Sequence, residues 1–154
     1  MPESARPRGS ILAFDFGLRR IGIAVGQFTT RTAGSLETVK HGKTPDWATI
    51  DRIVKEWKPT QLLVGLPLGA EGDETAMSLT ARKFGARLHK RYALPVSYAD
   101  ERLSSHAAES RFAELRAAGS LRKKHARQLD AMAAKIILEN WLQTIPDNTT
   151  GKES

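Results

Sequence analysis

The order of the apolar segments constrains the fold of this chain more than any other feature of its sequence. Two short segments, the apolar run Ile11–Gly17 and the β-branched run Ile21–Gly26, are separated by the break Gly17-Leu18-Arg19-Arg20 and predict a hairpin of buried strands. A weaker strand is predicted over Ala33–Val39. The beginning of the chain is therefore expected to form a meander of consecutive strands.

The remainder of the chain alternates helical and strand patterns. Because strands that are joined through helices pair in parallel with right-handed connections, this order indicates a mixed sheet. The predicted fold class is α/β, a five-stranded mixed sheet with helices on both faces. The helices are predicted from Thr44-Pro45-Asp46 to Trp57 and over Met77–Tyr92, Ser104–Ala118 and Leu129–Leu142, and the later strands over Gln61–Gly65 and Val96–Asp100.

Length and composition favour one globular domain. The chain has 154 residues and no cysteine, which excludes disulfides and thiolate zinc sites. Residues 10–143 are predicted to form a single domain between a basic tail over residues 1–9 and a polar tail over residues 144–154. No apolar run approaches a membrane span, and the first residues contain no apolar signal core, so we expect a cytoplasmic protein that does not bind a membrane.

The charge balance favours a polyanionic partner. The formal net charge is +7, and contacts from lysine and arginine to phosphates release counterions. The densest basic run precedes the last predicted helix. It could be an ordinary solvated surface, or it could bind phosphates. As nucleic-acid-binding residues in this run we predict Arg122, Lys123, Lys124 and Arg127.

Acidic residues stand at the ends of three predicted elements. Asp15 interrupts an apolar strand, where an ionised carboxylate needs a partner, although it could instead cap the turn before Gly17. Asp100 and Glu101 follow the fifth strand, where they could equally form a surface salt bridge or favour a helix start. Asp130 lies on the inward stripe of the last helix, although an acid near a helix start is often a cap.

These acids could meet at one edge of the sheet. Convergent carboxylates repel one another unless a cation holds them, and oxygen ligands of this kind suit Mg²⁺ or Mn²⁺. Divalent ions at such a site assist in-line displacement at a phosphodiester. A basic surface beside an acidic pocket fits that substrate.

Four blocks of the sequence form a pattern that covers most of the chain: Ala13–Gly26, Val64–Leu68, Asp100–Ser104 and Asp130–Leu138. In this order they resemble the RuvX (YqgF) family, which is similar to Holliday-junction resolvases and is grouped with RNase H-like nucleases. The resemblance implies an RNase H-like fold, a cytoplasmic bacterial protein and a nuclease that matures the 5′ end of pre-16S ribosomal RNA. The acids of the family pattern correspond to Asp15, Glu101 and Asp130.

The chain departs from the family pattern at two places. The family often has asparagine followed by two residues and glycine in its glycine-rich loop, whereas this chain has Gly69-Ala70-Glu71-Gly72. RNase H-like enzymes commonly carry an acid at the end of the fourth strand, whereas this chain reads Gly65-Leu66-Pro67 there. Glu101 is therefore equated with the missing acid on its expected position in space and not on a match of sequence positions.

The first hypothesis is a metal-dependent endonuclease that acts on structured RNA, most naturally the pre-16S precursor. Asp15, Glu101 and Asp130 would be the catalytic residues and would hold Mg²⁺ or Mn²⁺. Asp100 would orient a neighbouring ligand. The predicted phosphate donors near the metal are Arg19, Arg20 and Arg102.

Three other functions use parts of the same pattern. A resolvase of branched, four-way DNA would need paired active sites, so the chain is expected to be a monomer or a homodimer according to substrate. A non-catalytic RNA-binding or assembly factor would explain the basic charge and the missing acid on the fourth strand. An actin-like ATPase is suggested by Asp15-Phe16-Gly17, but the chain is too short for a second lobe.

Overall fold

The computed structural model describes residues 9–101 and 123–145, with the backbone alone for residues 123–129. Within these ranges the chain forms five strands and three helices. In chain order they are β1 (Ser10–Phe16), β2 (Arg20–Gln27), β3 (Thr32–Lys40), α1 (Trp47–Trp57), β4 (Gln61–Leu66), α2 (Ala76–Tyr92), β5 (Val96–Asp100) and α3 (Lys123–Thr144).

The strands form one mixed sheet in the order β3-β2-β1-β4-β5. The meander β1-β2-β3 is antiparallel, whereas β4 runs parallel to β1 and β5 runs parallel to β4. The predicted five-stranded mixed sheet is therefore confirmed. Its topology brings the carboxyl ends of β1, β4 and β5 to one edge, which is where ligands of α/β sheets collect.

One face of the sheet packs against α1 and α2. Phe84 of α2 is the centre of an aromatic cluster, with its ring 5.6 Å from that of Phe14, 4.9 Å from that of Phe16 and 5.8 Å from that of Trp47. Ile50 and Ile53 bring α1 onto the same core. Aromatic burial of this extent supplies a large part of the packing energy of a small domain.

The opposite face packs against α3. Ala134, Ile137, Leu138 and Leu142 are buried there against alternate residues of the central strands. Gly26 of β2 admits this helix, because a Cβ atom at that position would lie 2.8 Å from Leu138 Cδ2. The expected helices on both faces are thus present.

Local signals explain where the helices begin. The Asp46 side chain accepts a hydrogen bond from the Thr49 backbone N–H and caps α1, so the helix begins at Trp47, just after the predicted start at Thr44-Pro45-Asp46. Thr75 and Ser78 form a reciprocal capping box at α2.

The predicted start of the last helix was wrong. This helix begins at Lys123 instead of Leu129, because lysine and arginine are good helix formers even where apolar periodicity is absent. Trp57, the last residue of α1, is 37% exposed. The predicted helix over Ser104–Ala118 lies outside the described residues, as do residues 1–8 and 146–154 of the predicted tails. In the part that is described, none of the helices has the length and apolar character to cross a membrane.

Candidate active site

Asp15 lies near the end of the central strand β1, on the face covered by α3. Strand alternation puts it on the same side as Ile11 and Ala13, which both belong to the α3 core. It pairs with Gly22 of β2 in the antiparallel register. A carboxylate is thereby placed at the edge of an apolar core, with α3 on one side and the ends of β4 and β5 on the other.

Glu101 reaches Asp15 across a glycine. Its backbone N–H donates to the carbonyl oxygen of Leu66 at 3.0 Å, which extends the pairing of β4 and β5 by one step. A Cβ atom at Gly65 would lie 2.9 Å from Glu101 Oε2 and 3.0 Å from its Cγ. The β4 position that lacks an acid is therefore the space through which the Glu101 side chain approaches the site.

Asp130 is held at the site by a second glycine. A Cβ atom at Gly22 would collide with the carbonyl oxygen of Asp130, so the backbone of α3 touches β2 directly at this point. The Ser35 hydroxyl donates to the carbonyl oxygen of Ala131 at 3.2 Å and holds the same turn of the helix from β3. The predicted inward position of Asp130 is confirmed, because Ala134 and Ile137 on the same stripe are buried.

The two carboxyl groups of Asp15 and Glu101 form a coupled pair. Burial raises the pKa of Asp15 well above its ordinary value, and the charge and hydrogen bond of Glu101 and then the charge of Asp130 raise it further. Burial also raises the pKa of Glu101, and Asp100 adds to this rise, whereas the hydrogen bond with Asp15 opposes it. This hydrogen bond raises the pKa of Asp15 and lowers that of Glu101, so Asp15 is the member of the pair that holds a proton more strongly.

The carboxylate of Asp130 is turned towards an arginine. Arg20 Nε donates to Asp130 Oδ2 at 2.7 Å. With the side chains in these positions, no group of three or more acids, histidines or cysteines among the described residues could hold a metal ion. The donor set still suits a hard divalent cation, because a cation would relieve the repulsion that raises the pKa of Asp15. Asp15 and Glu101 meet already, and Asp130 would join them by leaving Arg20.

The other predicted site residues differ in what the structure says of them. Arg19 is exposed in the turn between β1 and β2, beside Arg20. Asp100 ends β5, where strand alternation puts it on the face of Tyr98, opposite Ala99, so its link to Glu101 is electrostatic. Arg102 and Arg122 lie outside the described residues, as do the side chains of Lys123, Lys124 and Arg127.

The glycine-rich loop after β4 is closed on itself. The Gly69 N–H donates to the Asp73 carbonyl oxygen at 2.8 Å, and the Gly72 N–H donates to the Gly69 carbonyl oxygen at 2.9 Å. A Cβ atom at Gly69 would collide with the Asp73 carboxylate. Glu71 is exposed at the tip of this loop.

Sequence reasoning missed the two glycines that build the site. Gly22 and Gly65 each interrupt a run of apolar residues in a buried strand, which is a signal of close approach by a backbone or another group. It also missed the ion pair between Arg20 and Asp130, since residues 110 positions apart in the sequence give no local signal of contact.

Two solved structures of Holliday junction proteins have folds similar to this one. T. thermophilus RuvC in complex with a Holliday junction substrate matches with a TM-score of 0.51 and 16% identity over 88% of this chain and 94% of that chain. The yeast mitochondrial Holliday junction resolvase Ydc2 matches with a TM-score of 0.50 and 12% identity over 89% of this chain and 79% of that chain. At these identities the likeness shows the fold alone, and it confirms the expected RNase H-like architecture.

Curated relatives match over nearly the whole chain. A protein of Hydrogenovibrio crunogenus named "Putative pre-16S rRNA nuclease" is 47% identical over 139 residues, which cover 89% of this chain and 96% of that protein. A protein of Xanthomonas euvesicatoria with the same name is 45% identical over 153 residues, which cover 97% and 98%. The family model RuvX, described as Holliday junction resolvase, matches residues 9–144, and the chain therefore belongs to the RuvX family.

Proposed function

We propose that this protein is a metal-dependent endonuclease that hydrolyses phosphodiester bonds in structured RNA, and that it matures the 5′ end of pre-16S ribosomal RNA. The observation that supports the proposal is the coupled pair of Asp15 and Glu101 beside Asp130 at the carboxyl edge of the sheet. A cluster of half-buried carboxyl groups that repel one another destabilises the fold, so its presence points to a functional role instead of a structural one.

The proposed metal ligands are Asp15, Glu101 and Asp130. A bound Mg²⁺ or Mn²⁺ would offset negative charge at the scissile phosphate and favour in-line attack. Asp15 has to be ionised for the site to bind such an ion, because carboxylates bind metals in the ionised form. Gly65 gives the Glu101 side chain room to approach, and Gly22 gives room to the backbone of Asp130, so that the Asp130 side chain is the ligand that has to move when the ion binds.

Positive side chains near the site would hold the phosphates that flank the cut. Arg19 lies in the turn that follows β1 and Arg20 begins β2, so both are within a few residues of Asp15. Arg102 follows Glu101 directly in the sequence. Guanidinium groups can bind phosphate through two parallel hydrogen bonds, which fixes orientation as well as charge. The proposed role of Arg122, Lys123, Lys124 and Arg127 is to bind the backbone farther along the substrate.

The choice of RNA substrate is supported by the relatives that match nearly the whole chain, because both carry the name of a pre-16S rRNA nuclease. We place the protein in the cytoplasm, where ribosomal precursors are processed. The description of the matching family model as Holliday junction resolvase favours four-way DNA as a second candidate substrate. A resolvase has to cut two opposed strands, so that function needs a homodimer, whereas cleavage of a single RNA end does not.

Cleavage of matched substrates tests the proposal. Purified protein is incubated with an RNA that carries an unprocessed 5′ end of 16S rRNA and, in parallel, with a four-way DNA junction, each with Mg²⁺, Mn²⁺ or EDTA. We expect metal-dependent cleavage of the RNA that falls at least about 100-fold in Asp15→Asn. Glu56→Gln is the control, because Glu56 is an exposed acid on α1 at the opposite face of the sheet.

Three results would contradict the proposal. Cleavage that persists in EDTA would show that no divalent metal is required. Cleavage that persists in Asp15→Asn would show that Asp15 is not part of the active site. Tight, salt-sensitive RNA binding with no cleavage in Mn²⁺ would instead indicate an assembly factor. Cleavage of the junction alone by a dimer would favour the resolvase.

A further inference from the structure

One of the proposed metal ligands is already paired with a cation of the protein. Arg20 begins β2 and reaches across to α3, where its Nε donates to Asp130 Oδ2 at 2.7 Å. Both side chains stay in contact with solvent, at 37% exposure for Arg20 and 26% for Asp130. The pair is therefore half-buried, and a ligand from solvent can reach both side chains.

The geometry of the pair leaves most of the guanidinium available. The contact to Asp130 uses Nε, and within residues 9–101 and 130–145 the two terminal amino groups of Arg20 make no hydrogen bond. Those amino groups form the fork that binds phosphate oxygens in pairs. A phosphate group that approaches from solvent can therefore contact Arg20 while Asp130 is still bound.

The same carboxylate cannot serve both cations fully. Oδ2 accepts the short hydrogen bond from Arg20, and a positive guanidinium beside it repels a divalent ion at the carboxylates. Asp130 also raises the pKa of Asp15 through its charge, so it lies near enough to act on the Asp15–Glu101 pair. The Asp130 carboxylate can therefore either stay paired with Arg20 or rotate towards Asp15 and Glu101, where a divalent cation would bind.

We propose that Arg20 is a positioning residue that holds Asp130 away from the metal site until a phosphate of the substrate takes over its guanidinium, so that phosphate and divalent cation bind cooperatively. This inference rests on the proposed nuclease function. By linkage, a phosphate that withdraws Arg20 tightens metal binding, and the metal tightens phosphate binding by the same factor. The site would then assemble fully only where a phosphodiester is present.

Metal affinity without substrate gives the first test. The Kd of Mn²⁺ is measured by calorimetry for the wild type, Arg20→Met and Arg19→Met, with circular dichroism to check folding. Release of an ion pair of this exposure is expected to lower the Kd about fivefold in Arg20→Met. Arg19→Met is the matched control, because it removes an equal charge from the adjacent exposed position. An unchanged or higher Kd in Arg20→Met, or an equal drop in Arg19→Met, would overturn the inference.

A double-mutant comparison isolates the pair. In an Asp130→Asn background, Arg20→Met should leave the Kd of Mn²⁺ unchanged, since the ligand that Arg20 withholds is gone. If Arg20→Met lowers the Kd equally with Asn at position 130, its effect is general charge and the inference fails. These measurements do not depend on turnover. Mn²⁺ binding that Asp15→Asn fails to weaken would refute the proposed nuclease site itself, which is a different outcome.

Sulfate provides the phosphate side of the test, because it has the shape and charge of a phosphate group and does not precipitate Mn²⁺. At equal ionic strength, sulfate in place of chloride should lower the Kd of Mn²⁺ about twofold in the wild type, once pairing of sulfate with free Mn²⁺ is subtracted. Arg20→Met should show no such change. An equal response in both proteins would mean that Arg20 does not couple the two ligands.

Discussion

Gly65→Ala should inactivate the protein by displacing one side chain while leaving the fold intact. The new methyl carbon would lie 2.9 Å from Glu101 Oε2, 3.0 Å from Glu101 Cγ and 3.1 Å from Ile137 Cδ1. Non-bonded carbon atoms prefer separations of about 3.5–4.0 Å, so Glu101 has to move by roughly 0.5–1 Å. That movement takes its carboxyl group away from Asp15.

The expected effects on stability and activity differ in size. Overpacking costs about 1–3 kcal/mol, and removal of a strand glycine returns about 0.5–1 kcal/mol. The net loss is therefore at most about 2.5 kcal/mol, which corresponds to a fall in Tm of at most roughly 10 °C for a chain of this length. A misplacement of about 1 Å at a reacting centre costs about 100-fold in rate. Activity should therefore fall far more than the folded fraction does.

Cleavage of the pre-16S substrate and thermal unfolding, measured on the same preparations, check this prediction. Gly34→Ala is the matched control, because a Cβ atom on that strand glycine meets nothing within 4 Å. We expect Gly34→Ala to keep full activity. The reasoning is refuted if Gly65→Ala cleaves at the wild-type rate, or if its loss of activity is matched by loss of folded protein.

Three further predictions concern stability. Gly22→Ala should lower the free energy of unfolding more than Gly65→Ala does, because the added methyl group meets the backbone of Asp130 and displaces the helix; equal Tm values would contradict this. The raised pKa of Asp15 implies stability that is complete at low pH and lost as pH rises through that pKa, so in EDTA the Asp15→Asn protein should be more stable than wild type at pH 8 and should show a flatter dependence of Tm on pH. A hydrogen bond from Arg91 is the largest cause that lowers the pKa of Asp51 to about 2, so Asp51→Asn should cost about 1 kcal/mol at neutral pH in this exposed pair, and the difference in denaturant midpoint should shrink as pH falls through that value.

The fold could be predicted from sequence because each of its signals is local. Strands β1 and β2 are apolar runs around a basic turn, and α1 carries apolar residues at helical spacing with a capping acid before it. The order of elements then leaves few topologies, since crossovers through helices are right-handed. The start of α3 was mistaken because its first turns carry lysine and arginine, which favour a helix without apolar periodicity.

The candidate site could be predicted only in part, because it depends on contacts between distant segments. Asp15, Glu101 and Asp130 stand out in the sequence as acids at the ends of apolar elements. Which of them contact each other, and which one faces an arginine, depends on the packing of α3 against the sheet. That packing depends on Gly22, because a side chain at this position would collide with the backbone of α3 at Asp130.

The missing acid on β4 follows from the same consideration. A carboxylate on β4 at position 65 would fill the space that Glu101 now enters from beyond β5, since the two side chains would lie within contact distance. An acid at either position brings negative charge to the same neighbour, Asp15, and both together would add a further repelling charge to a pair in which the pKa of Asp15 is already raised. The glycine is therefore part of the acidic site, because it allows the fifth strand to supply what the fourth does not. A comparison of residue types at the end of β4 alone would therefore miss the second acid of the site, because that acid is Glu101, which follows β5 and occupies the space beside Asp15 and Gly65.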